Sequence, residues 1–175
     1  MATLSCALAV LLPVACASTR APTEPVDQPT MPAEAQGPFP VTRILDGDTL
    51  TIDRGGQPVT VRLLGIDTPE TGDPGQPAQC YGQEATARTA EQLTGEQVWL
   101  QTDPSQAAVD VYGRDLAYVW LTDDLLVNLQ LIADGYAREY TYDQPYLYRD
   151  AFLAAQTRAQ QAHRGLWSAA TCAGQ

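Results

Sequence analysis

Apolar and polar positions alternate along Val41–Asp46 and again along Thr49–Arg54. Both runs carry β-branched residues, so each reads as a strand with one buried face. Arg54-Gly55-Gly56-Gln57 follows as a hairpin turn, with two glycines to supply positive φ. Pro58–Ile66 reads as a third strand. Residues 71–79 (TGDPGQPAQ) gather turn-formers with no period and predict a loop. Tyr81–Leu93, rich in alanine and glutamate, predicts a helix, and Gln97–Thr102 and Leu116–Leu121 return to strand. Leu126–Asp134 predicts a short helix stopped by Gly135 as a left-handed cap. Tyr146–His163 predicts a longer helix closed by Gly165, with Trp167 packing after it. Three strands, a helix, two strands and two helices in that order predict an α+β, β-rich fold. The expected architecture is a five-stranded closed barrel of the oligonucleotide-binding-fold kind with about three helices.

The first thirty-nine residues follow none of these patterns. Residues 1–17 (MATLSCALAVLLPVACA) hold an apolar run from Ala7 to Ala15 that is too short to span a bilayer and ends in small residues. This predicts a signal peptide or a lipoprotein leader. Cleavage after Ala15-Cys16-Ala17 and lipidation of Cys16 are both open. Residues 18–39 are rich in Pro, Thr and Glu without an apolar period, and read as a disordered tether. The folded domain is expected over 40–175, and the protein is expected to be secreted or membrane-anchored on the extracytoplasmic side.

Charge narrows the function classes. The 175 residues carry 21 acids against 10 bases, a net charge of −11, and every base is arginine. Such a surface argues against gripping long nucleic acid by bulk electrostatics, but it suits a cation. The body cysteines, Cys80 and Cys172, lie far apart with no CxxC spacing, which argues against zinc. In an oxidising compartment they read as one disulfide; two free thiols are the alternative.

Three segments concentrate the polar chemistry. Asp46-Gly47-Asp48-Thr49 lies where two strands meet, and turn preferences alone favour Asp and Gly there. In Arg62-Leu63-Leu64-Gly65-Ile66-Asp67-Thr68-Pro69-Glu70, alternation puts Arg62 on the apolar face with Leu64 and Ile66. A charge there is costly unless an anion meets it. Asp48, Asp67 and Glu70 near two strand ends would repel one another unless a cation or protons intervene. Hard oxygen ligands select Ca²⁺ or Mg²⁺. Arg114, in Tyr112-Gly113-Arg114-Asp115, enters a strand from a glycine turn. Two arginines and an acid-bound divalent cation meet the needs of phosphodiester cleavage, since they neutralise charge on the reacting phosphorus and the departing oxygen. A carboxylate outside the ligand set can orient or deprotonate water.

Together these segments resemble the staphylococcal nuclease (thermonuclease) family from about Val41 to Trp167. DGDT, RLLGIDTPET, Tyr81-Gly82-Gln83-Glu84-Ala85, YGRxLAY, Val127-Asn128 and GLW recur in the family's order and spacing. The resemblance implies a calcium-dependent nuclease acting on DNA and RNA that cuts the 5′ P–O bond and leaves 3′-phosphates. It implies Asp48, Asp67 and the Thr68 carbonyl as Ca²⁺ ligands, with Asp46 an acid behind them. It implies Glu70 as general base or water-orienting group, and Arg62 and Arg114 as phosphate-binding residues. Tyr140, Tyr142 and Leu116 fall on the nucleotide pocket, although the tyrosines need a one-residue gap after Arg138. A monomer is expected. The chain departs from the family where Val111 replaces a lysine and where loop 71–79 lacks lysine, which weakens the grip on long polymers. Cys80 and Cys172 are additions relative to the staphylococcal enzyme. The alternatives are a non-catalytic nucleic-acid-binding barrel and a phosphodiesterase for small substrates. His163 reads as a solvated helix end.

Overall fold

The computed structural model describes residues 26–72 and 77–174. The leader, Cys16 and residues 18–25 lie outside the described residues, as does the middle of the expected loop at 71–79.

Five strands form the barrel: β1 (Gln36–Ile44), β2 (Thr49–Asp53), β3 (Pro58–Leu63), β5 (Gln97–Gln101) and β6 (Asp115–Thr122). Their order is β3-β2-β1-β5-β6, and β3 pairs with β6 to close the ring. All neighbours are antiparallel except that closing pair, which is parallel, with Val61, Arg62 and Leu63 opposite Asp115, Leu116 and Ala117. Closure removes open sheet edges. The period-2 pattern sends Leu50, Ile52, Val61, Leu63, Val98, Leu100 and Val119 inward. Each such side chain contributes roughly 1.5–3 kcal/mol on burial.

Three helices cover the barrel: α1 (Gly82–Leu93), α2 (Val127–Ala133) and α3 (Arg149–Gln161). Short strands complete it: β4 (Ile66–Asp67) pairs with β8 (Arg138–Glu139), and β7 (Leu125–Leu126) with β6. Helix α2 is almost wholly buried between the barrel and Phe152, Ala155 and Ala159 of α3. It ends at Gly135 with positive φ, as its cap pattern requires.

Three boundaries differ from expectation. Position 40 is not where ordered structure begins: β1 starts at Gln36, and Val26 and Met31 pack against the core. Gln28 also bonds Gln130 and the Leu126 amide. Polar, proline-rich composition hid these few anchoring side chains. The third strand does not run to Ile66. It stops at Leu63, where the Leu63 and Leu64 amides turn to Asp48 and Ala117 carbonyls, and Gly65 takes positive φ under the Tyr146 ring. Finally, α3 starts at Arg149, and its exit runs through His163 at positive φ ahead of Gly165.

Candidate active site

The site is assembled where β2 begins and β3 ends. Thr49 pairs with Arg62 across β2 and β3, so the DGDT turn lies beside the arginine. Asp48 is buried at 4% exposure and is fully engaged. Its Oδ1 lies 3.0 Å from Arg62 Nε and accepts from the Thr49 hydroxyl at 3.1 Å. Its Oδ2 accepts from the Thr68 amide at 2.8 Å and the Thr68 hydroxyl at 3.0 Å. Asp46 closes the turn by accepting from the Asp48 amide at 3.0 Å.

Arg62 is clamped from both sides. Its Nη1 donates to the Leu63 and Ile66 carbonyls, each at 2.8 Å, and its Nη2 lies 3.1 Å from Asp67 Oδ1. These carbonyls face the guanidinium because the chain bends at Gly65. The strand break therefore serves the site: a continuous strand would have aimed them at a neighbouring ladder.

Burial pushes the Asp48 carboxyl up to about 7, against the pull of the Arg62 guanidinium, and the nearby charges of Asp46 and Asp67 add to the rise. One arginine thus offsets only part of the negative charge gathered here. The donor chemistry fits a hard divalent cation, since Asp48, Asp67 and the Thr68 carbonyl offer oxygen only. Among the described residues, no three acidic, histidine or cysteine side chains converge as a preformed cage. Two carboxylates and a carbonyl are the donors available to such an ion.

Helix α1 holds the two acidic turns together. The Thr89 hydroxyl donates to the Gly47 carbonyl at 2.6 Å. Gly47 lies against Thr68 and Gly82 against the Glu70 carbonyl, each so closely that a Cβ would collide. Glu70 is exposed at the end of its turn. Its amide donates to Gln79 Oε1 at 3.0 Å, and its carbonyl accepts from the Gln79 amide at 2.9 Å.

The parallel closure of the barrel brings in Arg114. Leu116 stands opposite Arg62, and Arg114 precedes it by two residues. The side chain is aimed by Asp110, whose Oδ2 lies 2.6 Å from Arg114 Nε and whose Oδ1 accepts the Arg114 and Tyr112 amides at 2.9 Å. Burial would raise the Asp110 carboxyl, but these hydrogen bonds and the Arg114 charge outweigh it and hold it below its ordinary range. The guanidinium also lies 5.3 Å from the centre of the Tyr112 ring. Asp110 is a site residue that the motif reading passed over; an Asp four residues ahead of Arg114 at a glycine turn was the available signal.

Tyr140 and Tyr142 are 45% and 83% exposed with ring centres 6.4 Å apart, and the Tyr140 amide donates to the Gly65 carbonyl. They stand beside the Arg62 bend, at the end of β8. Leu116 is half-buried and lines a cavity of about 160 Å³ with Arg54, Ala108, Val109 and Asp115. Of the other tyrosines, Tyr146 and Tyr148 pack with Tyr118 and Phe152, and Tyr136 stacks on Tyr81. Cys80 and Cys172 form a disulfide.

Known proteins resemble this chain in sequence. The family described as staphylococcal nuclease homologue matches residues 60–169. A thermonuclease of Staphylococcus hyicus is 40% identical over 130 residues, covering 74% of this chain and 75% of its own. A thermonuclease of Staphylococcus intermedius is 43% identical over 127 residues, covering 73% and 74%. Endonuclease YncB of Bacillus subtilis (strain 168) is 36% identical over 127 residues, 72% of this chain and 59% of its own. With two arginines and a cluster of carboxylates at one end of a closed barrel, the chain is a phosphodiester hydrolase of the nuclease class and belongs to the staphylococcal nuclease family.

Proposed function

We propose that the protein is a calcium-dependent nuclease that hydrolyses DNA and RNA, cutting the 5′ P–O bond and leaving 3′-phosphates. The observation that carries this reading is Arg62, held between Asp48 and Asp67 at 3.0 and 3.1 Å, while barrel closure sets Leu116, two residues past Arg114, opposite it. Asp48, Asp67 and the Thr68 carbonyl would hold the ion, with Asp46 fixing the Asp48 turn. When bound, Ca²⁺ supplies neutralising charge to the phosphate.

The chain's own residues have distinct tasks. Arg62 and Arg114 donate to phosphate oxygens on two sides of the phosphorus, and their hydrogen bonds strengthen as charge grows there. Glu70, exposed at the rim, orients a water and takes its proton. Tyr140, Tyr142 and Leu116 receive the base and sugar. The enzyme acts as a monomer outside the cytoplasm, released or held by a lipid on Cys16. No helix among the described residues is long and apolar enough to cross a membrane.

A second reading, a calcium-dependent phosphodiesterase for small substrates, is favoured by one observation. Val111 is 90% exposed beside Tyr112 on a chain with no lysine, so the rim offers little charge to a long phosphate chain.

Digestion of single-stranded DNA by the full chain, with Ca²⁺ and with EGTA, beside Glu70→Gln, tests both. Calcium-dependent cleavage lost in the variant is the expected result. Cleavage of a dinucleotide but not of the polymer would favour the second reading, and cleavage unaffected by EGTA would overturn calcium dependence.

A further inference from the structure

We propose that Gln79 is a positioning residue for Glu70, and that the Cys80–Cys172 disulfide holds Gln79 in place. The inference rests on the reading of Glu70 as the group that orients water.

Glu70 is exposed, and both of its main-chain groups bond to Gln79. Gln79 Oε1 accepts the Glu70 amide at 3.0 Å, and the Gln79 amide donates to the Glu70 carbonyl at 2.9 Å. Both main-chain groups of Glu70 are thereby claimed by a residue nine positions later. A neutral amide suits this task, because a carboxylate in its place would add charge beside Glu70 and Asp67.

Gln79 is fixed in turn from its C-terminal side. Its carbonyl accepts the Gly82 amide at 3.1 Å, and Gly82 lies against the Glu70 carbonyl with no room for a Cβ. Cys80 follows directly, bonded to buried Cys172. The tail around Cys172 belongs to the body: the Ala173 and Gly174 amides donate to the Ser168 and Leu166 carbonyls, each at 2.8 Å. Arg138 Nη2 reaches the Gly174 carbonyl at 3.3 Å, and Arg138 is the β8 residue paired with Asp67. A continuous path of covalent and hydrogen bonds therefore runs from Asp67 through Arg138, the tail, the disulfide and Gln79 to Glu70. It joins the strand that carries one ion ligand to the turn that carries the water-orienting carboxylate. A misplacement of about 1 Å at such a group can lower the rate by up to roughly a hundredfold.

The test uses the full chain with its disulfide formed, single-stranded DNA and Ca²⁺, and reads kcat and KM separately. Gln79→Leu should lower kcat about tenfold or more while KM stays within about twofold, because the phosphate contacts are untouched. In a Glu70→Gln background the same substitution should cause no further loss, since the two changes remove one function. The paired Cys80→Ser and Cys172→Ser variant should show the same split and the same non-additivity. Unchanged kcat in Gln79→Leu overturns the proposal. So does an equal fold-loss in the Glu70→Gln background, which would mark Gln79 as merely structural. Failure of the underlying reading looks different: Glu70→Gln would itself be as active as the parent.

Discussion

Arg62 is the counterion of Asp48: its Nε lies 3.0 Å from Oδ1 of a carboxylate that is almost fully buried. The residue assigned to the phosphate is therefore also a structural partner of the assigned ion ligand, whereas Arg114 meets Asp110 nearer the surface. The two arginines should separate on stability while resembling each other in catalysis. Arg62→Ala and Arg114→Ala are each expected to lower the rate by about a hundredfold or more, the usual cost of one preorganised donor. Arg62→Ala should also destabilise the metal-free fold by about 3 kcal/mol, because it strands a buried carboxylate. Arg114→Ala should cost about 1 kcal/mol or less. Initial rates and denaturant unfolding in EGTA decide it; near-full activity in either variant removes that residue from the phosphate clamp.

The stability of the metal-free protein should peak in mildly acid solution. Burial raises Asp48 from its ordinary 3.8 to about 7, so the unfolded chain gives up this proton first as pH rises. Between those values the native state loses relative stability, and above about 7 the loss is complete. Asp103 and Asp110 act in the opposite sense. Burial works against their ionisation, but bonds from Leu147, Ser105 and Tyr118 to Asp103, and from Arg114 and Tyr112 to Asp110, hold both below the ordinary range. Their contribution is present above that range and is lost as pH falls through their native values. Thermal melts from pH 3 to 9 in EGTA should therefore rise and then fall by several degrees. A divalent cation that binds ionised Asp48 should restore Tm most at high pH. A metal-free Tm that climbs steadily from pH 5 to 8 would contradict the burial argument.

The Cys80–Cys172 bridge closes a loop across a sequence separation of 92. Chain-entropy reasoning gives such a crosslink about 2–4 kcal/mol, acting on the unfolded state. The paired serine variant should unfold at lower denaturant by that amount, with secondary structure retained at 25 °C because the barrel core does not include the bridge. Equal midpoints with and without the bridge would show that the tail contributes nothing to the cooperative unit.

Much of this site was legible in the sequence because its parts are local. DGDT, the Arg62–Glu70 segment and the Arg114 turn each carry their geometry in a few residues, and β-strand periodicity places them at strand ends. What could not be read depends on pairings distant in the chain. The parallel contact of β3 with β6 sets Leu116, two residues past Arg114, opposite Arg62, and no local pattern encodes it. Asn128 gave only a two-residue motif. Buried in α2, it accepts the Val119 amide at 2.9 Å and donates to the Leu64 carbonyl at 2.9 Å, which secures the bend that aims Arg62. The two-residue strands β4 and β8 have no period to detect. The anchoring of residues 26–35 hung on a few side chains in a segment whose composition resembles a linker.

The missing lysines should be visible in the salt dependence. Polymer affinity falls with salt by roughly 0.7 units of log–log slope for each phosphate neutralised on a single strand. With no lysine in the chain and Val111 90% exposed beside Tyr112, the turn before Arg114 would offer a bound strand no ammonium. The slope of log kcat/KM against log salt should accordingly be shallow, near that expected for two contacts. Val111→Lys places an ammonium at the rim without disturbing packing. It should steepen the slope by about 0.7 and raise kcat/KM at low salt while leaving kcat unchanged, since the added contact holds ground and transition states alike. A dinucleotide substrate should be indifferent to the change. If Val111→Lys left the polymer slope unaltered, the strand would not pass over the Tyr112 turn, and the contacts beyond Arg114 would have to be sought along Tyr140 and Tyr142.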